Sequence, residues 1–166
     1  LVSSGKDRRL CLWKRGEREF TLAWAKDSAH KRIVWSVHFC PFDESILASG
    51  SRDGCIKIWK IVDDDNATRL FSFAPSFTRN EKPDAVTALA FAPVSVDNGA
   101  LLALGLESGR IELWRIPVHD ENVAPSLIET DGLTPNLFHC ATVTKLAWRP
   151  AHTKPLYLAS SSLDHG

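Results

Sequence analysis

Histidine, serine and aspartate recur in step along this chain, at His30, Ser49 and Asp53 and again at His139 and Asp164, and these are the residue types of a serine nucleophile relay. A relay requires one hydroxyl, one base and one orienting acid to converge once, on a pocket. Here the acids recur with their surroundings: Asp7 precedes Trp13 and Asp53 precedes Trp59 by the same interval (13 − 7 = 6 and 59 − 53 = 6). A polar set that returns in phase does something every unit of a repeat needs, whereas a catalytic site is needed once. No catalytic residue is therefore expected, and the chain does not read as an enzyme.

Other chemistries lack their spacing. The remaining histidines, His38, His119, His152 and His165, form no HxxxH or HExxH pattern with one another or with His30 and His139. Cys11, Cys40, Cys55 and Cys140 make no CxxC pair and read as free thiols, which fits a reducing compartment. Gly5, Gly50, Gly54, Gly99, Gly105 and Gly109 fall at strand ends and turns and make no phosphate-binding loop. No metal, cofactor or small-molecule substrate is expected.

The 20 lysines and arginines equal the 20 aspartates and glutamates, so net charge draws the chain to neither nucleic acid nor anionic lipid, and any electrostatic partner must be met by a patch. The longest apolar run, residues 100–104, is far below the roughly 20 residues of a membrane span. The chain opens on Leu1 with no charged-then-apolar leader and stops after Asp164-His165-Gly166, a turn signal; both ends read as interior points of a longer repeat. A soluble protein of the cytoplasm, and also of the nucleus, is the expectation.

The elements that must position these residues emerge when the chain is laid on itself. Residues 1–14 align without gaps on 47–60, and a third copy spans 102–115, each ending in tryptophan and a cation: Trp13-Lys14, Trp59-Lys60, Trp114-Arg115. Upstream, residues 30–41, 82–93 and 139–150 share an apolar strand closing in aromatic-x-Pro. The tryptophans lie 59 − 13 = 46 and 114 − 59 = 55 residues apart, near the ~40–45 of a four-stranded propeller blade. Residues 34–39, 46–49 and 55–61 are short, rich in β-branched and aromatic types and bounded by Pro, Gly and Asp, which predicts strands. Asp53-Gly54 predicts a tight hairpin; Asp7-Arg8 and Asp164-His165 stand at the same place without glycine, and Ser108-Gly109 keeps the turn without the carboxylate.

The expected fold is all-β: an incomplete β-propeller arc of about three four-stranded antiparallel blades. Residues 1–28 form the end of a blade (strands two to four), 29–80 a complete blade, 81–134 a complete blade with long loops, and 135–166 the first half of a truncated one. These motifs resemble the WD-repeat family. That resemblance implies a hydrogen-bonded structural tetrad of His30, Ser49, Asp53 and Trp59, with Asp7, Trp13, Trp114, His139 and Asp164 as markers of the same positions in other blades. The third blade, with Lys82 and Ser108 at the matching places, is expected to lack the network and to depend more on apolar packing. An open arc is also expected to expose apolar faces at its terminal blades and to fold poorly in isolation.

If His30 and Asp53 meet, the second-to-third-strand turn shares a rim with the loop feeding the first strand. That rim then carries Lys6, Arg8, Arg9, Lys26, Lys31, Arg32 and Arg52, a candidate basic surface for phosphate or an acidic protein. The mixed-charge loop at 14–19 and the run at 63–66 read as solvated turns on the opposite rim.

The order of variants is more selective than the WD pattern itself. SSGKDRRLCLWKR, AHKRIVWSVHFCPFDESILASGSRDGCIKIWK, GLESGRIELW and SSLDHG, in this order, are similar to the C-terminal propeller of the second, WD-repeat subunit of the Elongator complex. The resemblance implies two fused propellers without an active site, joining a large scaffold subunit to a catalytic subunit that modifies wobble uridines of tRNA, with tRNA itself a further candidate partner of the rim. The competing expectation is a WD-repeat adaptor of another assembly, a ubiquitin ligase or signalling platform, that reads peptides on the same rim.

Overall fold

The computed structural model of the chain describes residues 1–63, 66–128, 138–150 and 155–164. Every regular element among them is a strand. The first blade holds β1 (Val2–Ser4), β2 (Leu10–Arg15) and β3 (Phe20–Lys26) in that order. The second holds β4 (Val34–Cys40), β5 (Asp43–Ser51), β6 (Ile56–Asp63) and β7 (Asn66–Phe73). A small hairpin, β8 (Thr78–Arg79) with β9 (Lys82–Pro83), follows. The third blade holds β10 (Val86–Phe91), β11 (Ala100–Leu106), β12 (Ile111–Ile116) and β13 (Ser126–Leu127), and a last pair joins β14 (Val143–Trp148) to β15 (Leu158–Ser162). All neighbours pair antiparallel. The chain thus forms the all-β, incomplete propeller arc that its repeat implies.

The second strand of each central blade is buried on both faces, so it carries small and apolar residues without alternation. All seven residues of β11 (ALLALGL) are buried, as are residues 46–51 of β5. Each is covered by the first strand of the next blade. Gly50 and Gly105 make room for that approach: a Cβ on Gly50 would stand 2.6 Å from Cγ1 of Val86, and one on Gly105 2.6 Å from Cγ1 of Val143. In the first blade the place of Gly50 is taken by Ser4, whose hydroxyl donates to the Val34 carbonyl at 3.5 Å.

Each seam between blades carries its own core. Leu10, Ala29, Leu47 and Trp59 fill the first. Ile46, Ile56, Ile58, Val86, Leu89, Phe91, Leu102 and Leu104 belong to the large second. Ala88, Ala90, Ala103, Val143 and Leu146 fill the third. Polar pegs cross the second seam too, where Ser36 Oγ accepts the Leu89 N–H at 3.0 Å and His38 Nδ1 accepts the Phe91 N–H at 3.3 Å.

The fourth strands differ. β7 pairs along β6 from Ile56 to Asp63, whereas among the described residues β13 pairs with Trp114 and Arg115, and the following Ile128 N–H donates to the Leu113 carbonyl. Glu112, near the start of β12, is met by the segment leaving the second blade, through Ser76 and Phe77.

Candidate functional site

In the second blade the four predicted residues come together. His30, 1% exposed, lies in the loop before β4; Ser49 is on β5, Asp53 in the β5–β6 turn and Trp59 on β6. His30 Nε2 is 2.8 Å from Ser49 Oγ, the Trp59 indole N–H donates to the same oxygen at 2.9 Å, and His30 Nδ1 is 3.4 Å from Asp53 Oδ1. One neutral-ring assignment satisfies every group: the indole donates to Ser49, the Ser49 hydroxyl donates to Nε2, and Nδ1–H donates to the Asp53 carboxylate. Ser49 is wholly buried and its oxygen is engaged on both sides, so no substrate carbonyl can reach it.

Asp53 closes the turn as well. Its Oδ2 accepts the Lys31 N–H at 2.7 Å and its Oδ1 the Cys55 N–H at 2.9 Å, while its own N–H donates to Ser51 Oγ at 3.1 Å. Burial pushes the carboxyl up, but the His30 hydrogen bond and the Lys31 N–H outweigh it and hold Asp53 down at about 2. His38 moves for one dominant reason: burial lowers its pKa below 6.5 against a smaller opposing effect of a Phe39 backbone hydrogen bond, consistent with Nδ1 acting as an acceptor.

The last strand pair repeats the arrangement. His139 Nε2 lies 2.8 Å from Ser160 Oγ, Nδ1 lies 3.0 Å from Asp164 Oδ2, and that oxygen accepts the Cys140 N–H at 2.9 Å. Ser160 was not singled out by the sequence reading, although it stands four residues before Asp164 as Ser49 stands four before Asp53. In the first blade the Trp13 indole donates to Ser3 Oγ at 2.8 Å, and Asp7 accepts the Arg9 N–H at 3.1 Å.

The third blade departs from its expectation in an instructive way. It lacks the tetrad, because Leu104 stands where β5 has Ser49 and Ser108 where the turn has Asp53. Yet it does not fall back on apolar packing alone. The Trp114 indole donates to Glu112 Oε2 at 2.8 Å, and the Glu112 carboxylate also accepts the Ser76 N–H, the Ser76 hydroxyl and the Phe77 N–H at 3.0, 2.7 and 3.0 Å. Asp84, 4% exposed, accepts the Ala85 N–H at 2.9 Å and the Ser108 N–H at 3.0 Å. The Ser108 hydroxyl is buried without a partner among the described residues.

The candidate rim residues are all exposed. Their loops are tied together by the Ala29 N–H donating to the Arg8 carbonyl, Val34 N–H to Gly5 and Arg52 N–H to Ile33. Side chains then disperse. Arg9 pairs with Asp27 at 2.7 Å, and the Arg52 guanidinium stands 5.8 Å from the Trp35 ring. Arg32 and Arg52 line one cleft with Asn80, Lys82, Asp84 and Glu107; Lys6, Arg8 and Lys31 lie outside it. The cleft is mixed in charge.

One cluster that no sequence spacing signalled places His30, Asp53 and Cys55 ligand atoms within 4.8 Å of one another. The His30 and Asp53 atoms are already spent on each other, on Ser49 and on two backbone N–H groups, so closing on an ion would dismantle the network. Of the remaining histidines and turn acids, His152, His165, Asp64 and Asp65 lie outside the described residues.

Comparison with known proteins places this geometry. The WD domain, G-beta repeat model matches residues 21–60, which begin in the outer strand of the first blade and run through the third strand of the second. Elongator complex protein 2 of Schizosaccharomyces pombe is 32% identical over 163 residues, 95% of this chain and 20% of that protein. Elongator complex protein 2 of Drosophila melanogaster is 30% identical over 173 residues, 99% of this chain and 21% of that protein. The chain therefore spans about a fifth of the length of these curated relatives. The crystal structure of the computationally designed Ika4 protein superposes with a TM-score of 0.63 at 24% identity, covering 98% of this chain and 79% of that one, which is a likeness of fold.

Proposed function

This chain is an arc of WD-repeat propeller related along nearly its whole length to Elongator complex protein 2, and from that premise we propose that it is a non-catalytic scaffold segment of an Elongator complex. In this reading it joins a large scaffold subunit to a catalytic subunit that modifies wobble uridines of tRNA, in the cytoplasm and also the nucleus. The observation that carries the non-catalytic part is the recurrence of the histidine–hydroxyl distance, 2.8 Å in the second blade and 2.8 Å in the last strand pair. A histidine–hydroxyl pair that returns at the same register in two units of the arc is a staple between strands. The basic rim, through Arg8, Arg32 and Arg52, is the surface proposed for tRNA or an acidic partner.

Co-purification of the full natural chain tests the assignment. Recovery of a large scaffold subunit and a catalytic subunit is the expected result; recovery of ubiquitin-ligase or signalling components instead would move the chain to the adaptor reading. For the rim, Arg8→Glu, Arg32→Glu and Arg52→Glu together should weaken tRNA or partner binding by about tenfold or more, with a smaller salt dependence. Unchanged affinity removes the rim from the function.

A further inference from the structure

A second cationic feature lies where β3 and β7 approach each other, in a cleft that shares no lining residue with the rim cleft of Arg32 and Arg52 and only Lys26 with the candidate rim cations. Both are the outermost strands of their sheets among the described residues, so each leaves a row of backbone N–H and C=O groups without a strand partner there. Between them lies a cleft of about 540 Å³ lined by Trp24, Lys26, Ser28, Ala29, Lys57, Trp59 and residues 66–69 of β7. Three of the ten lining residues are cations, Lys26, Lys57 and Arg69, and none is an acid. In a chain of zero net charge this is a local imbalance, and it contrasts with the rim cleft, where Asp84 and Glu107 accompany the basic side chains.

Among the described residues neither Lys26 nor Arg69 has an ion-pair partner, and Lys57 donates to the Ala29 carbonyl while its ammonium stands 6.0 Å from the Trp59 ring. Asp27, the neighbour of Lys26, is engaged by Arg9. Ser28 holds a left-handed backbone, φ 49°, a conformation that non-glycine residues adopt at some cost. Lysines on edge strands commonly serve to discourage pairing. Convergence of cations from two blades and from the interior strand β6 on one cleft exceeds that role.

We propose that this cleft is a docking surface for an acidic peptide segment of a partner protein, lying extended between β3 and β7. Carboxylates would meet Lys26, Lys57 and Arg69, and the free strand edges would meet the peptide backbone. The volume suits several residues and not a lone ion. Single-stranded RNA fits less well because it calls for exposed rings to stack on, whereas Trp59 is 3% exposed and Trp24 packs edge-on against it at 5.9 Å and 65°. The inference is independent of the Elongator assignment.

Fluorescence anisotropy of a labelled oligoglutamate peptide with the full natural chain tests it. Lys26→Glu with Arg69→Glu, both on exposed side chains, should leave the melting temperature unchanged and weaken binding about tenfold or more; Lys26→Arg with Arg69→Lys should retain it. Arg32→Glu with Arg52→Glu at the rim should change it less than about twofold. The proposal is overturned if the peptide does not bind, if the cleft and rim reversals weaken it equally, or if a single-stranded RNA oligonucleotide binds the cleft more tightly than the peptide.

Discussion

The second and third blades share a strand plan and a glycine turn, φ 71° at Gly54 and φ 92° at Gly109, yet they satisfy their buried polar groups with opposite wiring. In the second blade the carboxylate sits on the turn and takes an N–H from the loop, Lys31 to Asp53 at 2.7 Å. In the third it sits on the loop and takes an N–H from the turn, Ser108 to Asp84 at 3.0 Å. The tryptophan N–H likewise finds a serine on the neighbouring strand in one blade and a glutamate on its own strand in the other. What the fold requires at each place is a partner for a backbone or indole donor, and either side of the rim can supply it.

The sharpest way to break the comparison is to remove each indole's acceptor. Glu112→Ala strands four donors, and Ser49→Ala strands the Trp59 N–H and one side of His30. At roughly 1–3 kcal/mol for each buried group left unsatisfied, denaturant unfolding should show both variants destabilised by at least about 2 kcal/mol, Glu112→Ala the more. Equal and negligible losses would mean that neither network holds its blade.

A charge swap sharpens the contrast. Ser108→Asp places a second carboxylate against Asp84, so the like charges should cost about 1–2 kcal/mol; adding Asp84→Asn should recover most of it, a non-additivity that a double-mutant cycle reads directly. Additive effects would separate the two sites.

Acid should dissolve the second blade's bonds in two stages. His38 has a folded pKa below its unfolded 6.5, so the native chain binds fewer protons than the unfolded one in that window, and stability falls as pH drops below about 6.5. Asp53 is depressed from 3.8 to about 2, so its contribution is whole above 3.8 and is lost as pH falls toward 2. Melting temperature against pH should lose the first step in His38→Gln and the second in Asp53→Asn.

The smallest effect concerns the first blade, where Arg8 holds φ 64° at the place of Gly54. Arg8→Gly should stabilise by about 0.5–1 kcal/mol by relieving left-handed strain, seen as a rise in melting temperature.

These contrasts also mark how far the sequence could be read. The strand pattern, the glycine turns and the second-blade set were visible because each member has its own residue type at a fixed place in a repeat. The third blade's carboxylates were not. Glu112 aligns with Lys57 and looks like a solvent-facing strand residue, and its partners Ser76 and Phe77 lie 36 and 35 residues upstream, a contact that no local pattern announces. The rim was legible as a collection of cations but not as pairs, since Arg9 is taken by Asp27 and Arg52 leans on Trp35. Part of the predicted third blade and of the last unit, residues 129–137, 151–154 and 165–166, lies outside the described residues.

Hydrogen exchange at the two indole N–H groups, followed by NMR, tests the central claim most directly. Both should be protected in the native chain; Ser49→Ala should release Trp59 and spare Trp114, and Glu112→Ala should do the reverse. If either substitution released both indoles, or neither, the two blades would not be separately stapled by the groups assigned to them.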